Sequence, residues 1–248
     1  ERARKISRDI FLNDKWDKAV RKLDWMIDKF NPPTWNKNLT KGIIYYTDNQ
    51  LDPLIFDTCQ KQLKKCCNGH DLVTVSLKPL DFGRNFVLDM ERGYLTMFKQ
   101  ILKGLEESKA DIIFFCEHDV LYTPEHFDFT PARQDIFYYN DNKWKVDETS
   151  GQALFYHCAQ VSGLCAYREL LLDHYRKLVA RVEAEGWKHT GYEAGTHDGR
   201  FELWFSAKPN IDIRHSKTLT KNRWRQDQFR NPNSCLGWTM ADSVPFGA

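Results

Sequence analysis

The 248-residue sequence has no apolar run approaching the roughly 20 residues that cross a bilayer, so no helical membrane span is expected. It has no excess of either charge. Lys and Arg number 36 against 34 Asp and Glu, a formal net charge of +2, which argues against a heavily polybasic protein while leaving room for a local basic patch. Its seven cysteines are odd in number, include the adjacent pair Cys66-Cys67 and show no CxxC spacing, so neither a disulfide framework nor a zinc ribbon is indicated. Internal repeats and low-complexity linkers are lacking. The first residues, Glu1-Arg2-Ala3-Arg4-Lys5, lack the apolar stretch of a secretory signal, and a soluble, cytoplasmic protein is the expectation. What is present is 42% hydrophobic and 14% aromatic residues, enough to bury a sizeable core and to exclude a disordered chain.

Asn13 or Asp14 can cap a first helix whose apolar stripe is Trp16, Val20, Leu23, Ile27 and Phe30, and Pro32-Pro33 ends it. Residues 1–40 are therefore read as an N-terminal helical extension and 41–248 as the main domain. From residue 42, short apolar runs alternate with helices. Gly42–Tyr46 is a buried strand ending in the polar turn Thr47-Asp48-Asn49, and a helix follows over about Pro53–Cys67, closed by Asn68-Gly69. Leu72–Leu77 is a second strand, running into a loop with Gly83-Arg84-Asn85. A helix with Tyr94, Phe98, Ile101 and Leu105 on one face leads to the strongest strand, Ile112–Cys116. Continuous apolar strands alternating with helices predict an α/β fold with a mostly parallel central sheet covered on both faces. Beyond it, Ile136–Tyr139 and Ala153–Tyr156 read as strands of a mixed or antiparallel extension. Tyr167–Glu185 reads as a long helix and Ile211–Ile213 as a last strand.

Ligands of open α/β sheets bind beyond the carboxyl ends of the strands. The strongest strand ends there in Glu117-His118-Asp119, two carboxylates able to hold a divalent cation such as Mg²⁺ or Mn²⁺ with a diphosphate. In an extended segment His118 is expected to point away from its two neighbours.

Thr47-Asp48, Glu117-His118-Asp119 and the late His215 together resemble a GT-A fold glycosyltransferase, with the tail Ile211–His215, Leu219-Thr220 and Trp224 resembling the small bacterial and phage family-2-like enzymes. The resemblance covers about residues 42–230. It implies a GT-A-like sheet and a nucleotide-sugar donor, a UDP-sugar, whose diphosphate is bridged by Mn²⁺ or Mg²⁺. It also implies metal ligation by Asp119 and His215, with Glu117 acting directly or through water. The motif departs from Asp-x-Asp, and no Glu-Asp dipeptide is present to carry the catalytic base.

Each position has a functional and a plain reading. Thr47, Asp48 and Asn49 form either a turn or a carboxylate site for the uracil or ribose. Arg84 and Arg92 face the diphosphate or solvent. Glu193, in the loop Gly191-Tyr192-Glu193-Ala194-Gly195, is the leading candidate base, with Asp198 and Glu202 as rivals. Lys217, Lys221, Arg223, Trp224, Arg225, Phe229 and Arg230 make a basic, aromatic tail. It is a solvated end, a clamp in which Lys221 and Arg223 close on the nucleotide, or a surface for a polyanionic acceptor. Hydroxymethylated bases of phage DNA are one acceptor class, and saccharide or lipid-linked hydroxyls are others. A sugar nucleotidyltransferase and a non-catalytic nucleotide-binding module remain as alternatives, the first disfavoured by the lack of a glycine-rich basic loop after the first strand.

Overall fold

A computed structural model describes residues 39–188, 193–220 and 223–230. The expected N-terminal helix and Lys221 lie outside the described residues.

The first half of the main domain follows the predicted alternation. Strand β1 (Lys41–Thr47) leads to helix α1 (Pro53–Cys66), then β2 (Asp71–Ser76), β3 (Arg84–Val87), α2 (Tyr94–Glu107) and β4 (Ile112–Glu117). Helix α1 starts where Asp52 accepts from the Leu54 amide at 2.9 Å and Pro53 occupies the first turn, and Lys64 and Lys65 sit at its carboxyl end. The strands read as unbroken apolar runs because each feeds two cores. Ile44 and Tyr46 of β1, with Ile113 and Phe115 of β4, pack against Phe98, Ile101 and Leu105 of α2. Ile43 and Tyr45, with Ile112, Phe114 and Cys116, face the opposite layer with Leu63 and Cys66 of α1. Successive side chains point to opposite faces, and both faces are covered.

The second half is more irregular. It comprises β5 (Val120–Leu121), α3 (Pro124–Asp128), β6 (Phe137–Asn140), β7 (Lys143–Asp147), β8 (Ala153–Phe155), β9 (Leu164–Tyr167), α4 (Arg168–Glu185), β10 (Phe201–Trp204) and β11 (Asn210–Arg214). Seven strands form a central sheet in the order β10-β6-β9-β4-β1-β2-β3. It is parallel except at β9, which runs antiparallel to both β4 and β6. A second sheet, β5-β11-β7-β8, packs its apolar residues Val146, Ile211 and Ile213 against Ile55 and Cys59 of α1.

Five strands go beyond the sequence reading, the shortest being Val120–Leu121, which pairs antiparallel with β11. Arg84–Val87, expected as loop, pairs in parallel with β2. Lys143–Asp147 and Phe201–Trp204 are charged or aromatic segments without a clear apolar face. Leu164–Tyr167 precedes the long helix directly, so its apolar residues merge with the helical pattern.

Candidate functional site

The carboxyl ends of β1, β2 and β4 open onto a cavity of about 160 Å³. Thr47, Asp48, Leu77, Glu117, His118 and Asp119 line it from the strand ends, and Arg92, Gly93, Thr96, Met97 and Gln100 from the start of α2. Lys145 and Asp212 of the second sheet, Glu193, and residues 217–220 close the remaining sides. Gln100 donates to the Thr47 carbonyl at 2.7 Å and to the Val75 carbonyl at 3.2 Å, tying the ends of β1 and β2 together beneath the cavity.

Asp119 and His215, 96 residues apart in sequence, meet here. The Ile213 amide donates to the Asp119 carbonyl at 2.8 Å, pinning the turn after β4 to β11. His215, just past the end of β11, then places Nε2 3.0 Å from Asp119 Oδ2. The Lys217 amide donates to His215 Nδ1 at 3.1 Å, so in this arrangement the imidazole proton lies on Nε2 and is donated to Asp119. His118 joins them. Among the described residues, His118, Asp119 and His215 offer ligand atoms that all lie within 4.8 Å of one another. The expectation that His118 points away is thus corrected. Strand β4 ends at Glu117, and residues 118 and 119 form a turn, so strand alternation does not apply to them.

Glu117 stands outside this trio. Its carboxylate accepts from the Tyr46 hydroxyl at 2.6 Å. Desolvation, reinforced by the Asp119 charge, pushes Glu117 up to about 8 against the opposing Tyr46 hydrogen bond. Asp119 behaves oppositely. Desolvation acts against its charge, but the His215 hydrogen bond and the neighbouring imidazoles hold its carboxyl at about 2. Two carboxylates in one crevice are thereby driven apart.

The other expected residues separate into two groups. Thr47 and Asp48 line the cavity; Thr47 Oγ1 is 2.6 Å from His118 Nδ1, and Asp48 is paired with Arg92. Arg92 also donates to the Lys217 carbonyl, which anchors the 217–220 segment over the cavity. Glu193 lines the cavity with its side chain 17% exposed. Arg223 lies in an adjoining compartment, 4.0 Å from Glu193.

The second group lies elsewhere. Asn49 adopts a left-handed backbone (φ 57°), and its side chain accepts from the Leu77 and Lys78 amides at 2.8 and 3.0 Å, so it serves as a joint between strand ends. Arg84 pairs with Asp71 at 2.7 Å, at the amino end of β2 and so at the opposite end of the sheet. Asp198 is tied to Arg200 at 2.8 Å on an exposed loop, outside the cavity, and Glu202 is exposed on β10.

A buried cluster escaped the sequence reading. Asp212 Oδ2 accepts from Lys145 Nζ at 2.7 Å, from the Tyr156 hydroxyl at 2.7 Å and from Gln160 Nε2 at 2.9 Å. Lys145 also lies 5.6 Å from the ring centroids of both Tyr156 and Trp224. The available signal was Ile211-Asp212-Ile213, an acid between two core residues of a strand, which implies a polar partner on the other face.

No protein-family model and no curated protein matches the sequence. Among solved structures, the chain is similar to a glycosyltransferase involved in the glycosylation of the major capsid of PBCV-1. That match has 10% identity and a TM-score of 0.43, covering 67% of this chain and 82% of the other. It is also similar to the apo-form glycosyltransferase GlyE of Streptococcus pneumoniae TIGR4, at 11% identity and a TM-score of 0.38. There the match covers 66% of this chain and 45% of the other, so the chain spans under half of that protein's length.

Proposed function

We propose that this protein is a metal-dependent glycosyltransferase that moves a sugar from a nucleotide-sugar donor, a UDP-hexose, to an acceptor hydroxyl. The observation that carries the reading is the His118, Asp119 and His215 trio at the carboxyl end of a parallel sheet, facing the start of α2. A carboxylate with two imidazoles suits a first-row divalent ion, and Mn²⁺ better than the all-oxygen preference of Mg²⁺. Those three side chains would hold the ion, His215 only after giving up the Nε2 proton that it donates to Asp119, and the bound ion would neutralise charge on the departing diphosphate.

The chain's own groups would do the rest. Arg92 and the amides opening α2 present positive charge to the diphosphate. Asp48, oriented by Arg92, accepts from the nucleoside. Glu193 takes the proton of the acceptor hydroxyl as that oxygen bonds to the sugar carbon and the carbon–phosphate-oxygen bond breaks.

The test is release of UDP from UDP-hexoses with and without Mn²⁺. Release that depends on Mn²⁺ and rises with an acceptor supports the transferase. Pyrophosphate formed from a nucleoside triphosphate and a sugar phosphate would support a nucleotidyltransferase instead. Nucleotide binding with neither product would indicate a binding module.

A further inference from the structure

The cavity continues into a second compartment of about 90 Å³, which shares Glu193, Lys145, Gln160, Thr218 and Thr220 with the first. The two differ in charge. Besides Glu117, whose charge burial disfavours, the first carries four carboxylates (Asp48, Asp119, Glu193 and Asp212) against three cations (Arg92, Lys145 and Lys217). The second carries Lys145, Arg214 and Arg223 against Glu193 alone. An acidic chamber attracts a cation, and a basic one attracts an anion.

The cations of the second compartment are not equally engaged. Lys145 is held by Asp212 at 2.7 Å, and Arg214 by Gln226 at 2.6 Å. Arg223 is 62% exposed, and among the described residues its guanidinium makes two long contacts, to Cys158 Sγ at 3.7 Å and to Glu193 at 4.0 Å. A guanidinium has five N–H donors and matches a carboxylate or phosphate in two-point geometry. Beside it stands Trp224, packed on Tyr156 with ring centroids 4.6 Å apart. One aromatic wall with hydroxyl, amide and carboxylate groups around it suits a hydroxylated ring, whose C–H face lies on the indole while its hydroxyls are hydrogen-bonded. The smaller volume suits one ring rather than a second nucleotide.

We infer that this compartment binds the acceptor, and that the acceptor is an anionic saccharide with its ring on Trp224, its carboxylate or phosphate on Arg223 and its reacting hydroxyl toward Glu193. The inference rests on the transferase reading for the role of Glu193, but the binding preference is measurable without turnover.

The experiment is isothermal titration calorimetry of the full chain with Mn²⁺ and UDP present. The probes are methyl glucuronide, methyl glucoside, glucose 6-phosphate and cytidine monophosphate. Methyl glucuronide and glucose 6-phosphate should each bind about tenfold or more tighter than methyl glucoside, the worth of one charge-assisted contact. The stronger of the two identifies the anion as carboxylate or phosphate. Arg223→Gln should abolish that preference and Arg223→Lys should keep part of it, while Trp224→Ala should weaken all three saccharides about tenfold. Thermal melts of each variant check folding. Equal binding of charged and neutral saccharides, or a preference that survives Arg223→Gln, overturns the inference. Cytidine monophosphate binding tighter than the saccharides overturns the acceptor class. Mn²⁺-dependent UDP release without anion preference defeats this inference alone. Anion preference without any UDP release defeats the transferase reading alone.

Discussion

Replacing Asp212 by Asn tests how much the second sheet contributes to the cavity. The carboxylate is 5% exposed and the Lys145 side chain 11% exposed, with 2.7 Å between them. At an effective dielectric constant of 20, unit charges at that distance attract by about 6 kcal/mol before desolvation is subtracted. Asparagine keeps an oxygen for Tyr156 and Gln160 but leaves the Lys145 ammonium without its counter-charge. Removing one partner of a buried pair typically costs about 3–5 kcal/mol. Lys145 also retains two aromatic neighbours at 5.6 Å, which places the expected loss near the lower end, about 3 kcal/mol. At roughly 2–4 °C per kcal/mol for a domain of this size, the melting temperature should fall by about 6–12 °C. The assay is urea denaturation of the wild type, Asp212→Asn, Lys145→Met and the double variant. The double variant should be more stable than the sum of the single losses implies, with a coupling of at least about 1.5 kcal/mol. A loss below about 1 kcal/mol in Asp212→Asn, or strictly additive singles, would refute the claim that the pair is desolvated and mutually dependent.

Three other outcomes are expected. Asp119→Ala should abolish both UDP release and sugar transfer, whereas Glu193→Gln should retain Mn²⁺-dependent UDP binding and lose about 10²–10⁴ in transfer rate; near wild-type transfer by Glu193→Gln removes it as the base. His126 is fully buried, its Nδ1 facing the amide groups of Asn140 and Asn210 at 3.0 and 3.1 Å, and desolvation with the Lys143 charge lowers its pKa to about 3. Because the unfolded chain binds this proton near pH 6.5 and the folded protein does not, stability should decline as pH falls from about 6.5 to 3. The loss is on the order of 4 kcal/mol, and His126→Gln should flatten that slope in urea midpoints taken across the range. Gly104→Ala places a Cβ 2.6 Å from Ile44 Cγ2; overpacking of about 1–3 kcal/mol against a helix-propensity gain of about 1 kcal/mol predicts a net loss in thermal melts, and a rise in melting temperature would contradict the tight α2–β1 contact.

Apart from β3, which reads as a loop, the sequence by itself determined the first half of the domain. Runs such as Ile43–Tyr46 and Ile112–Cys116 are apolar at every position because both sheet faces are buried, and helices that cover them repeat at 3.6 residues, so each element identifies itself locally. That parallel alternation also placed Asp48 and Asp119 at the correct end of the sheet, since the carboxyl ends of parallel strands share one side. What it could not determine was which distant groups meet there. Lys143–Asp147 carries two lysines and an aspartate in five residues and reads as solvent-exposed, yet it forms a strand because Asp212 supplies a buried counter-charge 67 residues away in sequence. His118 is turned to the cavity by the end of β4, and Arg84 is held at the far end of the sheet by Asp71. The pairing of Lys145 with Asp212 and of Asp119 with His215 spans 67 and 96 residues, and these contacts exist only once the chain has folded and distant segments meet.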